Sequence, residues 1–194
     1  VYTAWVNEQG GFEADLTVTR LAEAKFMVVV GENSHGHTLM RMKRNIAEGE
    51  VVVITDMTPA ITQINIHGPK ARMLMEKVTN ADMSNDAFPF MTCQDIDVGY
   101  WVVKAFRVTF VGELGWELQV ASYGAVQIYD LLKDVGKEFK LRDAGMQTLN
   151  SLRLEKAYRD FGLDVDNTDN PIEAGLGFAV KLDKPGGFIG HYAL

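Results

Sequence analysis

Three side chains carry usable chemistry from positions where a simple core would not place them: Asp15, Glu117 and Arg153. Asp15 follows the Gly10-Gly11 pair and stands between Ala14 and Leu16, and an acid in the middle of a β-patterned run goes against strand propensity. Glu117 sits in FVGELGWELQV (Phe110–Val120), where Gly112 and Gly115 cost backbone entropy, leave nothing to pack, and permit a close approach to the backbone. Arg153, in SLRLEK, has Leu149, Leu152 and Leu154 around it and Glu155 and Lys156 after it. Taken singly, these are a solvated strand acid, an edge-strand charge and a helix-surface ion pair. Taken together, two carboxylates on glycine-bearing strand segments and an arginine on a leucine-rich helix suit a flat heteroaromatic ligand with a donor edge and an anionic tail. A carboxylate can accept two parallel N–H bonds from such an edge. The residues alone do not name that ligand.

Other constellations are thinner. His35 and His37 stand two apart, a spacing that does not share a helix face, and no third ligand lies nearby, so no metal is expected. His67 precedes Gly68-Pro69 and reads as a turn residue, and the lone Cys93 has no base to activate it. GELGWE lacks the spacing and the Lys-Ser/Thr of a phosphate-cradling loop. Arg41, Lys43 and Arg44 form either a solvated helix face or a site for an anionic ligand tail.

The elements that must position these groups follow from pattern. Two β-rich runs flank Gln9-Gly10-Gly11 as a hairpin, with Ala14, Leu16 and Val18 on one face and Asp15, Thr17 and Thr19 on the other. KFMVVVG predicts a strand buried on both faces. Asn33 to Ala47 predicts a helix with Leu39, Met42 and Ile46 inward, stopped by Gly49. Strands are expected at VVVIT, AITQINI, CQDIDV, WVVKAFRVTF, WELQV and AGLGFAVKL. A helix starting at Pro69 buries Ala71, Leu74, Met75 and Val78. Another, capped by Ser122 and reaching about Phe139, turns Val126, Tyr129, Leu132 and Val135 inward. A last one, capped by Asp143, bears Leu149, Leu152 and Leu154. The class is α+β with mostly antiparallel sheet. Its expected division is 1–48, 49–140, and a return to the first lobe over 141–194.

Composition narrows the partners. The 194 residues carry a net charge of −7, which argues against a nucleic-acid partner. No run approaches the roughly 18 apolar residues of a membrane span, and one cysteine suits a reducing compartment. VYTAWV opens inside a strand-like run and FIGHYAL ends without a cap, so a piece of a longer protein is expected.

Four motifs occur in order: NEQGGFEADLTVTRL (Asn7–Leu21), GELGWEL (Gly112–Leu118), SLRLEKAYRDFG (Ser151–Gly162) and NPIEAGLGFAVKLDKPGGFIG (Asn170–Gly190). Together they resemble the tetrahydrofolate-binding aminomethyltransferase family. That family includes the glycine-cleavage T-protein and the C-terminal folate portion of dimethylglycine and sarcosine dehydrogenases. Ala14, where T-proteins usually carry a second aspartate, and FPF at 88–90 resemble the dehydrogenase branch, while Phe110 stands where relatives often have tyrosine. The resemblance implies that Asp15 orients the folate N10 amine and stabilises charge there, and that Glu117 pairs with the pterin's donor edge, with the neighbouring glycines admitting the ring. It implies Arg153 as a polar anchor; Tyr2 and Trp116 are packing walls by position alone. It further implies FAD on a separate upstream domain, a small amine-derived one-carbon donor captured as 5,10-methylenetetrahydrofolate, and a bacterial cytoplasm or mitochondrial matrix. A polyglutamate tail at Arg41 and Arg44 belongs to the same expectation. The alternatives are a stand-alone aminomethyltransferase or related demethylase, and a non-catalytic folate-binding protein.

Overall fold

The computed structural model describes residues 1–194, which divide into two units: Val1–Ile54 with Arg159–Leu194, and Thr55–Tyr158. The fold is α+β with antiparallel sheets. No helix is long and apolar enough to cross a membrane.

In the first unit β1 (Tyr2–Val6), β2 (Phe12–Ala22) and β3 (Lys25–Val30) form an antiparallel sheet in that order. The β1–β2 turn is built by Asn7, whose side-chain oxygen accepts the N–H groups of Gln9 and Gly11 at 3.0 Å, while Gly10 takes a φ of 83°. Period-two alternation then buries Phe12, Ala14 and Leu16, and Phe12 packs with Val165 and Leu176 from the C-terminal segment. The helix α1 spans His35–Arg44. Its one buried residue is Thr38 rather than the expected Leu39, Met42 and Ile46.

In the second unit the sheet order is β4-β7-β6-β5, from β4 (Ile61–His67), β5 (Cys93–Val98), β6 (Trp101–Phe106) and β7 (Gly115–Ala121). The helices α2 (Ala71–Val78) and α3 (Ala125–Gly136) bury Leu74, Met75, Ile128 and Leu132 against Ile66, Val103, Trp116, Leu118 and Val120. The opposite sheet face is mostly polar, with Phe106 the buried exception, because every second residue of a strand turns away from the core. Register places Gln63, Gln119 and Lys104 in one row, Asn65, Glu117 and Phe106 in the next, and His67 across from Gly115. The last helix, α4, spans Met146–Glu155.

Several expectations give way to packing. β3 is an edge strand with Phe26 57% exposed, since a short apolar run does not disclose how many faces are covered. VVVIT is exposed coil, and 174–182 holds a single 3-10 turn, Gly177–Ala179, instead of a strand. β propensity forms a strand only where a ladder is available. Helix α3 keeps Leu132 inward but buries Ile128, leaving Val126 and Tyr129 exposed. Ser122 caps nothing: its hydroxyl bonds the Pro59 carbonyl and accepts from Thr62. Asp143 instead takes the Tyr129 hydroxyl (3.1 Å) and Lys133 ammonium (2.8 Å), so α4 starts at Met146 with Gly145 at its N-cap and no side-chain cap. Those contacts, with Leu141 packed on the second core, hold 141–158 in the second unit rather than the first.

Candidate functional site

Asp15 lies on the outer row of β2, opposite Ala4 of β1, and accepts a hydrogen bond from the Tyr2 hydroxyl at 3.3 Å. Burial raises its carboxyl above the ordinary range; the Tyr2 bond opposes this, and the nearby charge of Asp160 adds to it. The phenol of Tyr2 is driven up by burial and by the adjacent Asp15. Tyr2 also stacks on Phe178 (6.2 Å between centroids, 23° between planes), and the Thr3 hydroxyl reaches the Ala179 carbonyl. A carboxylate, a phenol and an exposed aromatic ring therefore meet in the first unit. Phe178 and Asp160 escape sequence reasoning because they arrive from a segment more than 140 residues downstream.

Glu117 lies on the polar face of the second unit's sheet and makes no side-chain hydrogen bond or ion pair. Burial alone raises its carboxyl from an ordinary 4.5 to about 6, so at neutral pH it remains mostly ionised in a poorly hydrated place. On the same face, two residues along, the Gln119 side-chain oxygen is buried without a partner, and so is His67 Nε2. Burial lowers the His67 imidazole below its usual range, against an opposing contact with the Val108 backbone. A bare carboxylate beside an unpaired amide oxygen is an acceptor surface that fits a donor-rich edge. Gln119 and His67 were findable in principle: once β4 and β7 are paired, both fall on Glu117's side.

The glycines have local reasons. A Cβ at Gly115 would run into the His67 ring and the Ile66 carbonyl, and one at Gly112, where φ is 69°, would run into the Lys156 side chain. The close approach expected of a ligand is made in this structure by protein atoms.

Arg153 is only 2% exposed. Its Nε donates to the Asn150 oxygen (3.0 Å), Nη1 donates to the Tyr158 carbonyl (2.9 Å), and the guanidinium lies 5.8 Å from the Phe110 ring centroid. It is thus the buried residue of α4, while Leu154 is exposed. Trp116 is corrected: its side chain is wholly buried in the helix-facing core, edge-on to Phe88 at 6.1 Å. Adjacent strand residues point oppositely, so Trp116 cannot share a wall with Glu117. Arg41 donates to the Val6 carbonyl at 2.6 Å, with Glu13 3.6 Å away, both within its own unit. His37 pairs with the same Glu13 at 2.6 Å. Among the proposed site residues, then, Tyr2 and Asp15 meet in one unit, and Glu117 and Arg153 belong to the other.

Comparison with known proteins adds an independent line. The family model described as GCVT N-terminal domain matches residues 1–184. A 4-methylaminobutanoate oxidase (formaldehyde-forming) of Paenarthrobacter nicotinovorans is 38% identical over 100% of this chain and 23% of its own length. The mitochondrial dimethylglycine dehydrogenase of Homo sapiens is 36% identical over 96% of this chain and 22% of its own. The chain thus spans under a quarter of these curated relatives. The crystal structure of glycine cleavage system aminomethyltransferase T from Bartonella henselae superposes with a TM-score of 0.81 at 25% identity, covering 99% of this chain and 50% of that one.

Proposed function

This chain belongs to the GCVT N-terminal domain family, and on that premise we propose that it is the tetrahydrofolate-binding portion of a demethylating FAD-dependent dehydrogenase of the dimethylglycine or sarcosine type. Its role is capture of a one-carbon unit from a small amine as 5,10-methylenetetrahydrofolate, in a mitochondrial matrix or bacterial cytoplasm, with FAD on another part of the parent chain.

The observation that carries this reading is Glu117, a half-buried carboxylate with no partner of its own. Leaving such a group uncompensated is costly, and the donor edge of a reduced pterin would compensate it. The unpaired Gln119 oxygen on the same sheet face extends that acceptor edge. When bound, tetrahydrofolate supplies the nucleophilic amines to which a one-carbon unit can be attached. Asp15 holds or accepts a proton at its carboxylate, because burial has raised its proton affinity while Tyr2 fixes its orientation. Tyr2 with Phe178 gives a flat apolar wall, and Arg153, clamped by Asn150 and Tyr158, is a rigid polar anchor. Most of the acceleration is assigned to holding two reactants together.

Tetrahydrofolate titration of the intact protein tests this. E117Q is expected to weaken binding about 10- to 100-fold, the range for a lost charged hydrogen bond. D15N is expected to bind within a few fold of wild type yet lose about 10²–10⁴ in one-carbon transfer. Unchanged affinity in E117Q overturns the reading, and full transfer by D15N leaves a non-catalytic folate binder. The fold shared with the Bartonella aminomethyltransferase favours a second reading, aminomethyl transfer in glycine cleavage. Transfer from an aminomethyl-lipoyl carrier, with none from a methylated amine, would select it.

A further inference from the structure

Away from Glu117, the second unit gathers two positive charges on one neutral atom. Arg72, the second residue of α2, donates from Nη2 to the Asn85 side-chain oxygen at 2.5 Å. Arg107, just beyond β6, donates from its own Nη2 to that same oxygen at 2.7 Å. Each guanidinium spends one further N–H on the intervening loop: Arg72 Nε on the Met83 carbonyl (2.8 Å) and Arg107 Nη1 on the Phe88 carbonyl (2.6 Å). Arg107 also lies over the Trp116 ring at 5.8 Å. No ion pair joins either arginine to an acid, although the chain carries seven more acids than bases. Asp82, in the same loop, is occupied with the Ser84 N–H.

Pinning the loop accounts for the two backbone carbonyls. It does not account for two like charges converging on an amide oxygen, where an aspartate would have neutralised both. A guanidinium has five N–H donors, so about three remain on each arginine, beside an exposed asparagine. Two guanidinium groups converging on one point suit an oxyanion, and the number of unspent donors matches a phosphoryl group better than a carboxylate. Burial and the charge of Arg72 both push the Arg107 guanidinium below its ordinary range.

We propose that Arg72 and Arg107, bridged by Asn85, form a binding site for a phosphate or phosphoryl group, on the opposite side of β7 from Glu117. The site is independent of the folate reading.

Thermal unfolding of the intact protein with inorganic phosphate, acetate or chloride at matched ionic strength and pH tests it. Phosphate is expected to raise the midpoint by several degrees over chloride, and R72Q to abolish that rise. N85D, which supplies an internal carboxylate to both arginines, is expected to raise the midpoint in chloride and to remove the phosphate response. R72Q keeps the Arg107 contacts with Phe88 and Trp116, so the test does not depend on the more disruptive R107Q. A wild-type phosphate response no greater than chloride's, or a full response in R72Q, overturns the site; an acetate response equal to phosphate's overturns its phosphoryl assignment.

Discussion

Glu117 links protonation to folding, because its carboxyl titrates near 6 in the folded chain and near 4.5 when unfolded. Below about 4.5 both states are protonated and burial carries no charge penalty. As pH rises through the interval the unfolded chain ionises first, so this residue's contribution to stability falls. Above about 6 the folded state bears a half-buried charge at a cost of about 2 kcal/mol at most. E117Q should therefore be more stable than wild type by up to that amount at pH 7.5, with the gap closing by about pH 4, even as folate binding weakens. Urea unfolding of both proteins across pH 4–8 is the check, and parallel profiles would show that the carboxylate has a partner in solution. At this scale Asp15, Glu117 and Arg153 stand out in the sequence as charges among apolar neighbours. That Glu117 is bare, that Asp15 is tied to Tyr2, and that Arg153 is buried are outcomes of packing and could not be read from spacing.

Strands β4 and β7 decide which polar groups share a face with Glu117, and Gly115 keeps their ladder closed beneath the His67 ring. G115A should cost about 1–3 kcal/mol, the usual penalty for overpacking, measured by urea denaturation. G36A is the matching control: Gly36 lies in α1 with open space around it, so alanine there should be neutral or stabilising by up to about 1 kcal/mol. Equal losses in both would mean that the β4–β7 backbone, with the Ile66 carbonyl and the His67 ring, shifts to admit a methyl group at position 115. Elements with a clean period were legible: β2, α2, β5 and β7 lie close to where the apolar pattern puts them. The misassigned elements share a cause. VVVIT, KFMVVVG and AGLGFAVKL are apolar β-formers, and whether such a run becomes a central strand, an edge or a turn depends on a neighbour that composition does not name.

The two units are unequally consolidated. The second carries an extensive buried cluster from Ile66 to Leu132, whereas in the first Phe12 gathers two other buried residues, Val165 and Leu176, with the partly buried Tyr2, Ala4, Phe161 and Ala174 around them. Amide exchange should accordingly be slowest in β6, β7 and α3 and much faster in β3 and 51–54; comparable protection in β3 and β7 would contradict that ranking. By itself the sequence determined the α+β class, the hairpin around Asn7–Gly11, the family and the charged residues worth watching, because turn chemistry, two- and 3.6-residue periods and ordered motifs are local properties of the chain. Only the tertiary structure decided that 141–158 joins the second unit, that Trp116 is core, that Gly112 and Gly115 make room for Lys156 and His67, and that Arg72 and Arg107 converge on Asn85. Each of these depends on which distant side chain fills a given space, and close packing settles that question only once the chain has folded.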